Sequence, residues 1–209
     1  MEPKGGTPQS PAAALTDVRQ AKLPQRPKKR GKNDYNPYGK YASKDCGDVK
    51  MINYKKADLN DLDEIIRCRM EFIREDMGNQ TPKMEAVIQA QLQEYLTNHL
   101  NRDCFVFVAE EDGKIISIAF LLIQEKPANP RFPHGRVGNI MNVYTVAEKR
   151  RQGIAGNIIK QIMDFGKSQN LDFLELKAAP MGYPLYKKLG FEDACSHCKE
   201  MEYKWDLKK

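Results

Sequence analysis

One stretch constrains the fold of this chain more than any other, residues 142–156, NVYTVAEKRRQGIAG. A β-prone apolar run passes through a polar turn to Gly153 and leads into a predicted helix at 157–167. A strand that enters a helix through a glycine turn leaves several backbone N–H groups unpaired and pointing one way, and small residues such as Ala155 allow a bulky anion to approach them. Three cations precede the glycine: Lys149, Arg150 and Arg151. We therefore predict a polyphosphate-binding site here.

Positive charge is concentrated at the start of the chain. The 209 residues carry a formal net charge of +6. Residues 1–50 contain eleven lysines and arginines against five aspartates and glutamates, so they account for all of this charge. The remaining residues, 51–209, are formally neutral, which argues against a domain that itself binds nucleic acid through a basic surface.

The first fifty residues also contain too few large apolar residues to form a hydrophobic core. They contain no Ile, Phe or Trp and half of the twelve prolines, so we predict a largely disordered basic extension at 1–50 and one domain at 51–209. The basic cluster at 27–32 and three nearby tyrosines suit a tail that contacts nucleic acid or an acidic partner. We favour a solvated leader or an added segment, which explains the same composition. The tail lysines could also be substrates themselves.

Cysteine usage and hydropathy bear on the compartment. The five cysteines, at 46, 68, 104, 195 and 198, are odd in number and scattered, unlike the disulfide framework of a secreted protein. No apolar run approaches the roughly 20 residues that span a bilayer. The N-terminus lacks the apolar segment of a signal peptide. We expect a cytoplasmic protein without membrane contact.

From residue 51 onward the pattern is that of a mixed α/β domain. Alternating apolar residues, helical stripes and turn residues predict ten elements. They are a strand at 51–56, helices at 58–75 and 83–100, strands at 103–110, 114–124 and 136–146, a helix at 153–169, a strand at 171–178, a short helix at 184–189 and a last strand at 199–207. We expect one sheet with helices on both faces.

Two motifs in this order resemble the GNAT superfamily of acetyl-CoA-dependent N-acetyltransferases. The family's pyrophosphate loop reads (Arg/Gln)-x-x-Gly-x-(Gly/Ala), and Arg150, Gly153 and Ala155 match its fixed positions. The second motif is PLYKKLGF at 184–191, which resembles the family's final helix, where a tyrosine precedes Leu-Gly-Phe. A predicted strand separates the two motifs, as the family requires. The resemblance covers about 51–207 and leaves the first fifty residues unexplained.

This resemblance implies the GNAT acyltransferase fold, a mixed and mostly antiparallel sheet that splays between its fourth and fifth strands. It implies acetyl-CoA as cosubstrate and no metal. The pantetheine arm would bond the backbone around Val143, Tyr144 and Thr145. The pyrophosphate would lie on the loop and helix N-terminus, formed by Arg150, Arg151, Gln152, Gly153, Ile154, Ala155 and Gly156. Arg151 stands where the family usually has glycine, and we expect it to add charge without blocking the loop.

The resemblance also implies the chemistry, in which a primary amine of a small molecule, peptide or protein attacks the thioester directly. Tyr186 matches the family's general acid, and a phenol with a pKa near 10 suits a donor to the departing thiolate. The alternative is that Tyr186 is only a buried aromatic. Glu175, in Leu-Glu-Leu-Lys, resembles the strand glutamate of members that acetylate protein N-termini and is a candidate base. It could equally be a solvated strand residue, with ordered water accepting the proton instead.

Three other features carry less weight. Cys195-Ser-His-Cys198 has too few ligands for a structural zinc site, and no second pair lies nearby in the predicted elements. The resemblance places the Pro/Gly loop at 127–138 beside the acceptor pocket. Glu125, next to this loop, could hold a cationic amine, and His134, within it, could shape specificity or simply be exposed. Cys104 is predicted to be a core residue.

Two further classes of function stay open. The domain could bind acyl-CoA without turnover, as a regulatory or interaction module. Alternatively, the basic extension could direct an acetyltransferase to ribosomal or tRNA amines, which predicts salt-dependent RNA binding through 1–50. The sequence does not name the acceptor amine. It also leaves open whether the last strand pairs across a homodimer.

Overall fold

The three-dimensional structure is a computed structural model, which describes residues 51–194 and 201–203 together with the backbone of 41–42. Its strands are β1 (Tyr41–Ala42), β2 (Met51–Lys56), β3 (Cys104–Glu111), β4 (Lys114–Glu125), β5 (Arg136–Thr145) and β6 (Phe173–Leu176). Its helices are α1 (Leu62–Met77), α2 (Pro82–His99), α3 (Ile154–Ser168) and α4 (Tyr183–Lys188). Short 3-10 turns at Leu59–Asp61 and Ala147–Lys149 precede α1 and α3.

The strands form one sheet in the order β1-β2-β3-β4-β5-β6. All neighbours are antiparallel except β5 and β6, which are parallel. A tight turn joins β3 to β4 through Asp112 and Gly113, both with positive φ, whereas α1 and α2 lie between β2 and β3 and a longer loop lies between β4 and β5. The parallel pair instead requires a crossover, which α3 provides.

The parallel pairing is short, and this creates a gap in the sheet. Residues 137–140 of β5 pair with 173–176 of β6, from Val137 opposite Phe173 to Ile140 opposite Leu176. Beyond Ile140 the strand β5 continues for five residues to Thr145, whereas β6 has ended. The C-terminal half of β5 therefore has a free side, which is the splay that the sequence predicted.

Helices cover both faces of the sheet, as predicted. On one face α3 and α4 pack against the sheet through Ile158, Ile162 and Tyr186, together with strand residues such as Phe107 and Leu121. On the other face α1 and α2 contribute a second set of core residues, comprising Leu62, Ile65, Cys68 and Leu96. Cys104 is fully buried in this second core, in agreement with the prediction.

Local signals explain where the helices begin and end. Asp58 caps the turn before α1, where its carboxylate accepts from the Asn60 N–H at 2.8 Å and forms a capping box with Asp61. Thr81 caps α2, which opens with Pro82, a residue suited to a first turn. Gly190 follows α4 with a φ of 92°, a left-handed conformation that ends the helix.

Most element boundaries agree with the sequence predictions, and the largest difference is the fifth predicted strand. It was expected at 171–178 but is confined to Phe173–Leu176, because Leu171 N–H bonds back to the end of α3. The predicted last strand at 199–207 lies mostly outside the described residues, and its described part, 201–203, belongs to no strand. The basic extension at 1–50 also lies outside them, apart from the backbone of β1. Among the described residues, no helix is long and apolar enough to cross a bilayer.

Candidate active site

A bulge in β5 lies at the point where the gap opens. Ile118 of β4 lies opposite Tyr144, and Phe120 lies opposite Met141, so β5 uses one residue more than β4 over this interval. The extra residue is accommodated at Asn142, which has a φ of 56°. A bulge of this kind bends a strand and turns its backbone groups, and bulges are common beside active sites.

Beyond the bulge the backbone groups of β5 alternate in direction. The Tyr144 carbonyl accepts a hydrogen bond from the Ser117 hydroxyl at 2.8 Å, and Val146 N–H donates to the Ile116 carbonyl at 2.9 Å. These two residues therefore direct their backbone toward β4. Because successive residues in a strand point their backbone groups to opposite sides, Val143 and Thr145 direct theirs toward the gap.

The loop after β5 enters α3 through two left-handed residues. Arg151 has a φ of 63° and Gly153 a φ of 80°. Gly153 is the N-cap of α3 and no side chain caps the helix, so the N–H groups of its first turn have no partner within the helix. They belong to Ile154, Ala155 and Gly156. Gly153 itself is exposed, and a methyl group added to it would meet no described atom within 4 Å.

The three cations of the loop differ in their surroundings. Lys149 Nζ lies 2.5 Å from Glu111 Oε2. Arg150 Nη2 lies 2.5 Å from Glu75 Oε2, and its Nε donates to the Thr145 carbonyl at 2.8 Å. Arg151 is exposed and forms no ion pair with any described residue. The neighbouring Gln152 turns its amide back to the Glu148 carbonyl at 3.3 Å.

Arg150 is therefore held against α1 as part of a polar cluster. The Tyr144 hydroxyl donates to Glu71 at 3.3 Å and to Glu75 at 3.2 Å, and the Arg150 guanidinium lies over the Tyr144 ring. Burial raises the pKa of Tyr144, and the two carboxylates raise it further, so this hydroxyl stays protonated. No sequence motif indicates this cluster, because α1 and β5 are brought together only by the fold.

Tyr186 lies on α4 close to the N-terminus of α3. Its side chain is 8% exposed and belongs to the same core cluster as Ile154 and Ile158. The ring meets Phe191 edge-on at 5.9 Å, and no described residue hydrogen-bonds to the hydroxyl. Burial raises the pKa of the phenol, which keeps it protonated and able to donate a proton over a wide pH range.

Glu175 shares a cavity with Tyr186. The cavity, of about 1040 Å³, lies along β6, α3 and α4, and both residues are among those that line it. Glu175 lies opposite Asn139 in the β5–β6 register, and its carboxylate is 3.6 Å from Lys126 Nζ. The fold thus brings Glu175 and Tyr186 to one cavity, whereas Arg150 points away toward α1.

The remaining candidates lie at the edge of this region. His134 Nδ1 is 2.6 Å from Asp172 Oδ1, and Asp172 also accepts from the Arg136 N–H, so the pair fixes the loop before β5. Glu125 is mostly exposed, with a carboxylate oxygen 3.9 Å from Arg136 Nε. The Cys195–Cys198 segment lies outside the described residues. Among the residues that are described, no group of three His, Cys, Asp or Glu side chains could hold a metal ion.

Comparison with known proteins agrees with this architecture. The sequence matches the family model described as "Acetyltransferase (GNAT) family" over residues 66–191. A predicted acetyltransferase from Clostridium acetobutylicum, solved with acetyl-CoA, has 29% identity and a TM-score of 0.65, covering 73% of this chain and 96% of that one. A GCN5-related N-acetyltransferase from Ralstonia eutropha has 24% identity and a TM-score of 0.61, with coverage of 72% and 98%. The Arabidopsis thaliana glucosamine-6-phosphate N-acetyltransferase shares the fold at 17% identity and a TM-score of 0.54, with coverage of 72% and 97%.

The fold, the glycine loop at the head of α3 and the gap beside β5 are those of an acyl-CoA-dependent acetyltransferase. The family match spans more than half of the chain, and the chain belongs to the GNAT acetyltransferase family. Membership supports acetyl transfer with acetyl-CoA as cosubstrate, and an amine as the class of acceptor on which the family acts.

Proposed function

We propose that this protein transfers an acetyl group from acetyl-CoA to a primary amine by direct attack of the amine on the thioester. The observation that carries the proposal is the uncapped N-terminus of α3, which follows the exposed Gly153 and the free end of β5. Unpaired N–H groups and the positive end of the helix dipole bind phosphate oxygens, and an extended pantetheine arm suits a gap beside a free strand.

Each predicted cofactor residue has a distinct part in this proposal. The N–H groups of Ile154, Ala155 and Gly156 would bind the pyrophosphate, with Arg151 as the nearby mobile cation. Val143 and the N–H of Thr145 would bond the pantetheine arm, because these backbone groups face the gap, whereas the Thr145 carbonyl is bonded to Arg150. Tyr144 and Arg150 would act indirectly, by holding the end of β5 and the loop against α1, and Gln152 would brace the loop at Glu148.

The proposed reaction proceeds in one displacement. The neutral amine nitrogen forms a bond to the thioester carbonyl carbon, and a β5 backbone N–H near Val143 stabilises the oxyanion. The carbon–sulfur bond then breaks, and the CoA thiolate takes a proton from Tyr186. The proton released by the amine passes to Glu175 or to ordered water. The buried phenol supports the acid role, because its raised pKa keeps the proton in place until the thiolate forms.

The first experiment is calorimetric titration of acetyl-CoA into the full-length protein. Wild type is compared with Gly153→Glu and its neutral counterpart Gly153→Gln. Both side chains strain a backbone at φ 80°, so the difference between them isolates the effect of a negative charge beside the pyrophosphate. We expect micromolar binding in the wild type, weaker binding in Gly153→Gln and none in Gly153→Glu.

Two outcomes of that titration contradict the proposal. Absence of binding to the folded wild type would show that acetyl-CoA is not a ligand of this protein. Equal binding by the two variants would show that the pyrophosphate does not lie at the α3 N-terminus. If acetyl-CoA binds, release of CoA in the presence of amines distinguishes an enzyme from a binding module. Tyr186→Phe then tests whether that release depends on the phenol.

A further inference from the structure

The face of the sheet that carries the bulge contains an arginine that forms no ion pair with any described residue. The helix α1 has three arginines, of which two are paired: Arg67 with Glu64 and Glu71, and Arg74 with Glu85. The third, Arg69, is half-buried and forms no ion pair with any described residue, and Asp76 attracts it only from beyond ion-pair distance. Because burying an unpaired charge is costly, such a guanidinium is well placed to receive an anion.

Arg69 is fixed at the bulge by two contacts within the protein. Its Nη1 donates to Asn142 Oδ1, and its guanidinium lies 5.5 Å from the centre of the Phe72 ring. A guanidinium only donates hydrogen bonds, so the Asn142 amide must present its oxygen to Arg69. The Asn142 Nδ2 is consequently buried without an acceptor, and the bulge has a surplus of donors.

The surface beside Arg69 is open. Met141 lies opposite Phe120, and Phe120 belongs to the core under α1 and α2, so Met141 is on the same face as Arg69. Its side chain is 40% exposed, which shows that the helices do not cover this part of the sheet. Asn139 and its register partner Glu175 lie on the same face. The hydrogen-bond donors of Arg69 and Asn142 at one end of this surface therefore adjoin the Glu175 carboxylate at its other end.

We propose that the acceptor amine carries an anionic group, a carboxylate or a phosphate, which Arg69 binds next to the Asn142 bulge. This inference rests on the proposed function and narrows the acceptor to a small anionic amine. Asn142 immediately precedes Val143, whose backbone faces the pantetheine gap, so an anion on Arg69 places a nearby amine close to the thioester. Asn142 is a positioning residue, because it orients the guanidinium that binds the anion.

The test compares matched acceptors by the release of CoA from acetyl-CoA. The panel contains free amino acids with their carboxamides, O-phosphoethanolamine with ethanolamine, and glucosamine 6-phosphate with glucosamine. We expect at least one anionic member to exceed its neutral partner more than tenfold in kcat/KM. The pair that shows the difference distinguishes carboxylate from phosphate.

Two variants assign that preference to Arg69. Arg69→Gln is expected to reduce the preference to near unity, mainly through KM, and leave the acetyl-CoA affinity unchanged. Arg69→Lys is expected to keep part of it, because the charge remains but the bidentate fork is lost. Arg74→Gln, the same change at a paired arginine of the same helix, is expected to leave the preference intact.

Several results overturn the inference. One is equal reaction of anionic and neutral partners, and another is an unchanged preference in Arg69→Gln. A third is that acetyl-CoA binds, but no anionic member of the panel either reacts or raises the melting temperature of the CoA-saturated protein. Failure of acetyl-CoA to bind is a separate result, which overturns the proposed function and this inference with it.

Discussion

Arg150 Nη2 lies 2.5 Å from Glu75 Oε2, so the first residue of the anion-binding motif is bound to α1. Its Nε also donates, at 2.8 Å, to the carbonyl of Thr145, which is the last residue of β5. The side chain therefore joins the strand, the loop and the helix. Of the three loop cations, only Arg151 then remains available to an anion bound at the N–H groups of α3.

We predict that the two neighbouring arginines differ in their effect on ligand binding. Arg151→Gln should weaken acetyl-CoA binding about three- to tenfold at low salt, since an exposed cation beside phosphates is lost, and the effect should shrink as salt screens it. Arg150→Gln should lower the melting temperature but change the affinity less than about threefold. Titration calorimetry at two salt concentrations measures both, and the reverse order would show that Arg150 reaches the ligand.

The left-handed backbone at Arg151 carries its own consequence for stability. A non-glycine residue in this region costs about 1–2 kcal/mol, partly offset by the greater chain entropy of glycine. Arg151→Gly should therefore raise the free energy of unfolding by up to about 1 kcal/mol while losing the charge. Arg151→Ala is the control, since it removes the charge and keeps the backbone cost. Urea unfolding compares the two, and equal stability would contradict a strained φ of 63°.

Tyr186→Phe tests the proposed general acid. We expect kcat to fall about 10²- to 10⁴-fold, as is typical when a positioned proton donor is lost. The melting temperature and the acetyl-CoA affinity should change little, because no described residue hydrogen-bonds to the hydroxyl. A kcat within a few-fold of wild type would reduce Tyr186 to a packing residue.

The pH profile offers an independent test of the same residue. An acid must be protonated to act, so the rate falls as pH rises through its pKa. Burial raises the pKa of Tyr186 above its ordinary value of 10.0, so the alkaline decline of kcat should lie above pH 10 in a protein that remains folded. The decline should be absent from the residual activity of Tyr186→Phe. A decline that is identical in both proteins would belong to another group.

Glycine at position 138 is required where β5 meets β6. A methyl group there would lie 2.5 Å from a Leu174 methyl and 2.9 Å from methyls of Leu121 and Leu171. Gly138→Ala should destabilise the protein by about 1–3 kcal/mol through overpacking. Gly166→Ala, in α3, is the matched control: its methyl would meet Leu174 and Leu171 at ordinary distances of 3.4 and 3.5 Å. It should be neutral or stabilising, and equal losses in urea unfolding would contradict this packing.

Two buried thiols should resist alkylation in the folded protein. Burial raises the pKa of Cys68 to about 12 and that of Cys104 to about 12, so the reactive thiolate is scarce at pH 8. Peptide mass spectrometry after iodoacetamide should show both unmodified in native protein and both modified in urea. Rapid native labelling would show that these sites open easily.

The same shifts make stability depend on pH in one direction. A thiol whose pKa is higher in the folded state than in the unfolded state contributes stability below the unfolded value, near 9. That contribution is lost as pH rises toward about 12. The free energy of unfolding should therefore decrease between these limits.

The sequence by itself determined the elements and the motif that defines the family. Strand alternation, helical stripes and glycine turns are local patterns, so β2, α2 and α3 were predicted to within one residue at each end, whereas α1 begins four residues later than predicted because a 3-10 turn precedes it. Tyr186 and Gly153 could be singled out because each lies within a short motif whose context, a strand followed by a helix, is also local.

Only the tertiary structure decided which side chains meet. Arg69 and Asn142 are 73 positions apart, and neither residue belongs to a motif. Arg150 and Glu75 are 75 positions apart, and although Arg150 belongs to the loop motif, its pairing with Glu75 turned this predicted phosphate ligand toward α1. Sequence periodicity gives the face of an element, but the register of β5 against β4 and the placement of α1 depend on packing between distant segments. That long-range packing, and not the motif, places at the bulge a guanidinium that has no ion pair among the described residues.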